Sequence, residues 1–144
     1  MHLRPALDAD EAQRLLDAAT AEALANAWAV SIAVVDDGGH LLAFRRLPDA
    51  APSSAWIAID KARSAALFRR PTRFFAERLG NAPGLATLPA VLPVAGGLPL
   101  LHDGFSLGGI GASGVAADDD ERIAEAGLRA LAAPAPDAPL RTPH

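Results

Sequence analysis

The sequence predicts an α+β domain, a five-stranded antiparallel sheet with helices packed on it. Two observations carry that reading. Apolar runs are joined by tight-turn dipeptides at Asp36-Asp37-Gly38-Gly39 and again at Asp103-Gly104, which is hairpin chemistry. Helical patterns separate the strand groups without any run of strand–helix–strand crossovers, so the sheet is antiparallel.

The elements follow in order. Asp8 and Glu11 form a capping-box start, and Ala12, Leu15, Leu16, Ala19 and Ala23 repeat at the spacing of one buried helical stripe, so residues 8–27 read as a helix. Ser31 to Val35 and Leu41 to Arg46 are the strands of the first hairpin. Ser53 or Ser54 caps a second helix ending near Phe68, apolar around most of its circumference through Trp56, Ile57, Ile59, Ala62, Ala65 and Ala66. Pro71 suits the first turn of a short helix anchored by Phe74, Phe75 and Leu79. Asn81 to Pro89 is a loop, and Val91 to Val94 is read as the third strand. Leu98–Leu101 and Phe105–Ile110 flank Asp103-Gly104 as the second hairpin, and residues 118–132 form the last helix, with acidic groups at its positive end. Residues 1–133 make a single domain, and 134–144, with prolines at 134, 136, 139 and 143, is expected to be a disordered tail.

Composition narrows the function classes. At 144 residues the chain can bury one real core. A net charge of −4, with aromatics at 5% and no tyrosine, argues against nucleic acid and anionic membrane as partners. The absence of cysteine removes disulfides, thiolate metal sites and cysteine nucleophiles. No window approaches 18 uncharged apolar residues and the first residues lack a leader pattern, so a soluble cytoplasmic protein is expected.

The glycines of the second hairpin include a formal G-x-G-x-x-G at Gly109, Gly111 and Gly114. A dinucleotide site there would need a helix opening at the glycines and a further parallel strand; instead Asp118-Asp119-Asp120-Glu121 follows, which would repel a pyrophosphate. Glycine within a strand otherwise marks close approach of another backbone, a helix or a ligand.

The stretches VVDDGGHLLAFRR (34–46), DKARSAALFRRPT (60–72), GGLPL (96–100), GGIGASG (108–114) and DDDERIAEAG (118–127) together resemble the GlcG/HbpS-like haem-binding family. The sequence departs from the usual pattern at Ser64, where threonine is frequent, and at Leu47-Pro48-Asp49-Ala50. The resemblance implies a profilin-like layout, homodimers or larger homo-oligomers, and in some members haem as ligand.

Candidate site residues are read beside their structural alternatives. One of Arg45 and Arg46 points inward by strand alternation and could meet a carboxylate or haem propionate; both could equally be solvated or pair with nearby aspartates. Lys61 on the apolar helix is either a desolvated base or one half of a salt bridge. Thr72 is similar to the family position proposed to contact haem, which makes it the candidate metal contact, although a helix-start hydroxyl is the structural alternative. His40 and His102 flank hairpin turns, the latter also a candidate proton carrier. Gly109, Gly111 and Ser113 are candidate ligand contacts, and Asp118 to Glu121 is read as helix capping rather than a cation site.

The expected function is a small-ligand-binding protein that holds haem or a similar planar anionic ligand, or assists in haem or iron handling, with a groove lined by Arg45, Lys61, Thr72 and the glycine strand. The alternative is a cofactor-independent enzyme on a small carboxylated metabolite, with Arg45 anchoring the substrate and Lys61 or His102 moving the proton.

Overall fold

The computed structural model describes residues 1–132; the proline-rich segment expected to be a tail lies outside them. The order is α1 (Ala9–Ala25), β1 (Ser31–Asp36), β2 (Leu41–Arg46), α2 (Pro52–Phe68), α3 (Arg73–Arg78), a 3-10 turn (Pro83–Thr87), β3 (Gly97–His102), β4 (Phe105–Ser113) and α4 (Ala117–Ala132). The strands form one antiparallel sheet in the order β2-β1-β4-β3.

Strand alternation sends β1 side chains to two different cores. Ile32 and Val34, with Ile110 and Ala112 of β4, meet Leu15, Leu16 and Ala19 of α1 and Ile123 and Ala124 of α4. Ala33 and Val35 face the other way and meet Ala58, Ala62 and Ala66 of α2. The sheet is therefore sandwiched between α1 and α4 on one face and α2 on the other. The Asp8 carboxylate accepts from the Glu11 amide at 2.8 Å while the Glu11 side chain returns to the Asp8 amide, which completes the expected capping box. In the second hairpin Asp103 and Gly104 take φ of 48° and 79°, the positive pair such a turn requires.

Among the described residues the sheet has four strands, not five. Val91–Val94 is not a strand, because Pro89 and Pro93 interrupt the ladder donors and its amides are used elsewhere. Val91 N–H donates to Leu88 O, Val94 N–H to Leu92 O, and Leu92 N–H to the Ser64 hydroxyl on α2. The segment is a strap beside α2.

Two of the β4 glycines, Gly109 and Gly111, are explained by α2. A Cβ on Gly109 would lie 2.2 Å from the Ala62 carbonyl oxygen, and one on Gly111 would lie 2.4 Å from that of Ala58. Alanines on the helix and glycines on the strand bring the two backbones into direct contact.

Candidate functional site

Lys61 projects from the β3 side of α2 into a space that exists because its neighbours are glycines: a Cβ on Gly96 would lie 2.6 Å from its Nζ. The Lys61 ammonium donates to Asp120 Oδ2 at 2.8 Å and to the Ala112 carbonyl at 3.1 Å, and both side chains are almost wholly covered. Asp120 Oδ1 accepts from Val115 N–H at 3.1 Å. Burial pushes the Asp120 carboxyl above its ordinary 3.8, outweighing the downward pull of Lys61 and the Val115 amide. The pair ties α2, the end of β4 and the first turn of α4 together.

Thr72 lies against Gly97, next to the Lys61 backbone, fully buried. Its hydroxyl accepts from Gly97 N–H at 2.9 Å and donates to Gly97 O at 3.4 Å, while its own N–H donates to the same carbonyl at 2.9 Å. Those bonds pin the entry of α3 to the first residue of β3.

The exposed surface above Thr72 is formed by α3. Arg70, in the turn before α3, and Arg78, at its end, both lie against Phe74, their guanidinium carbons 4.3 and 3.5 Å from the centre of its ring. Phe74 is held edge-on by buried Phe75, centroids 5.3 Å apart, and Phe75 packs in turn on Phe68. Arg69, Arg70 and Arg78 have no carboxylate in ion-pair range among the described residues. Arg73, on the other side of α3, differs. It is clamped by Asp118 and by Glu121 at 3.0 Å, which raises its pKa further.

The remaining candidates do not converge. Arg45 is on the α1 face of the sheet, across β1 from Ile32, where it meets Asp17 at 3.1 Å and the Thr20 hydroxyl at 2.9 Å. A groove shared by Arg45, Lys61, Thr72 and the glycine strand is therefore not assembled, because the sheet itself stands between Arg45 and the others. Arg46, on the opposite face, donates to Ala50 O. Gly109 and Gly111 lie against the α2 backbone, and Ser113 is buried opposite Ser31. His102 is exposed at the far end of β3, beside Asp103, with five strand steps of about 3.3 Å each separating it from Gly97 at the Lys61 end. Lys61 and His102 thus cannot share one proton-transfer site. His40 is exposed in the first hairpin. The four acids at the start of α4 are distributed: Asp120 to Lys61, Asp118 and Glu121 to Arg73, Asp119 to Arg122. Sequence reasoning missed both Asp120 as the partner of Lys61 and the Arg70–Phe74–Arg78 cluster. Of the latter, only the Phe74–Arg78 pair was legible, as i, i+4 spacing within α3.

Comparison with known proteins agrees with this architecture. Protein GlcG of Escherichia coli K12 is 42% identical over 114 residues, spanning 78% of this chain and 85% of its own length. The crystal structure of a Streptomyces reticuli HbpS double mutant superposes with a TM-score of 0.86 at 36% identity, covering 91% of this chain and 90% of that one. The PduOC:haem complex superposes with a TM-score of 0.80 at 27% identity, covering 88% and 95%. The family model described as "Haem degrading protein HbpS-like" matches residues 7–129, and the chain belongs to that HbpS-like family.

Proposed function

We propose that this protein binds haem on the α3 surface, with the porphyrin edge on Phe74 and the propionates on Arg70 and Arg78. The observation that carries the reading is the convergence of two guanidinium groups on one aromatic ring with no carboxylate partner among the described residues. A flat, largely apolar dianion is matched by an aromatic ring to abut and by planar cations that bind carboxylates through two oxygens. The haem complex of a structural neighbour supports the ligand class.

The residues fit the periphery of haem better than its iron. Imidazole and thiolate are absent from α3, and the Thr72 hydroxyl, the candidate iron contact, is committed to Gly97. When bound, haem supplies an iron centre and a conjugated ring; the chain supplies the cations that orient it. Haem binding is therefore assigned to Arg70, Phe74 and Arg78, with Thr72 fixing the loop that presents them. The proton-transfer alternative loses its residues, since Lys61 is sealed in an ion pair and His102 stands elsewhere.

Titrating haemin into the purified protein should shift the Soret band and saturate, and an Arg70→Ala/Arg78→Ala variant should weaken binding roughly tenfold, as loss of a charge-assisted contact does. A titration that reproduces only the spectrum of free haemin sinks the assignment. The same family reading carries a homo-oligomer, favoured by exposed Trp56, Ile57 and Leu67 on α2.

A further inference from the structure

α2 turns its alanines to the sheet and leaves a second stripe outward: Trp56, Asp60, Arg63 and Leu67. At about 100° per residue these four fall within roughly 40–60° of one another, and Trp56 to Leu67 spans about 16 Å of helix. The stripe is open, with Trp56 at 72% and Leu67 at 42% exposure. Asp60 and Arg63 are half-exposed and only loosely paired at 4.0 Å, so neither is committed to another charged group among the described residues. Beside the midpoint of the stripe a cleft of about 320 Å³ opens between Asp60, Arg63 and the Pro89–Leu92 strap, so the helix is not covered there.

The order of the four residues is self-complementary. Reversing the stripe about its midpoint exchanges Trp56 with Leu67 and Asp60 with Arg63, so apolar meets apolar and anion meets cation. We propose that α2 pairs antiparallel with α2 of a second copy of this chain, across a two-fold axis passing between Asp60 and Arg63. Trp56 of each copy covers Leu67 of the other, and each Asp60 meets the Arg63 of the other, an isologous contact in which every interaction occurs twice. Trp and Arg are the side chains that most often anchor such interfaces. Spacings of four, three and four residues are those of a helix seam packed on a second helix. The proposal rests on the homo-oligomeric reading above and is independent of haem.

Light scattering on haem-free protein at micromolar concentration should give at least twice the 14.8 kDa chain mass. Trp56→Glu should reduce the assembly, with an unchanged far-ultraviolet circular dichroism spectrum showing that the inward face of α2 still folds. Charge exchange is the sharper arm. Asp60→Arg places four cations at the axis and Arg63→Asp places four anions, so each variant alone should dissociate at least tenfold more readily. Mixing the two should restore assembly as a hetero-pair, and the Asp60→Arg/Arg63→Asp double variant should assemble by itself. A monomeric wild type overturns both the oligomer and the interface. An oligomer whose mass is indifferent to Trp56→Glu and to both charge variants overturns the interface while leaving the oligomer standing.

Discussion

Lys61 and Asp120 illustrate how a buried charge pair depends on both members being present. Removing one leaves an uncompensated ion in the interior, so Lys61→Met should cost about 3–5 kcal/mol in urea unfolding, and Lys61→Met/Asp120→Leu should recover most of it. The pH dependence has a defined sign. Because the folded Asp120 carboxyl titrates above its ordinary 3.8, the native state holds its proton at pH values where the unfolded chain has released it. Stability contributed by this group is then fully present below 3.8 and is lost as pH rises through the raised value. The stability of wild type minus that of Asp120→Asn should therefore fall as pH rises above 3.8. A difference that grows instead would show the Lys61 charge outweighing burial. Ser106 offers a smaller effect of the same kind: its buried hydroxyl has no hydrogen-bond partner among the described residues, so Ser106→Ala should be neutral or stabilising by up to about 1 kcal/mol.

At the scale of elements, the seam between α2 and β4 sets the geometry. Any side chain at Gly109 would strike the Ala62 carbonyl, a backbone atom that cannot rotate away. Gly109→Ala should lift the helix from the sheet at a cost of about 1–3 kcal/mol or more, read as a lowered denaturation midpoint. Gly109→Ala with full stability would mean that α2 does not sit as close as described. α3 has little of its own to hold it. Six residues cannot sustain a helix alone, and its place comes from Thr72 on Gly97, Phe75 in the interior and Arg73 on α4. That arrangement presents Arg70, Phe74 and Arg78 outward at a fixed position.

At the scale of the molecule, one sheet is shared by both helical layers, so neither layer has a core without it. The whole domain should unfold in a single transition. The chain has two tryptophans and no tyrosine, so Trp56→Phe leaves Trp28 as the sole tryptophan reporter, packed against the α1/α4 core. Its fluorescence midpoint in urea should coincide with that of far-ultraviolet circular dichroism. Separate midpoints would show the α2 layer melting independently. Among the described residues no helix is long and apolar enough to cross a membrane.

Local sequence by itself determined the elements whose cause is local. Asp8 and Glu11 announced the start of α1, Asp103-Gly104 the second hairpin, and the period of Leu15, Leu16 and Ala19 the buried face of α1, because capping, turn angles and helical period are properties of neighbouring residues. The family was also legible, since its motifs are contiguous stretches. Only the tertiary structure decided what depends on residues far apart in the chain. Val91–Val94 has the composition of a strand, yet pairing requires a free partner edge and unblocked amides, and its amides went to Ser64 and local turns. Arg45 alternates inward as expected, but the sheet puts it on the face opposite Lys61. Lys61 found Asp120, 59 positions away, because α4 returns across the sheet to set that carboxylate beside the space left by Gly96.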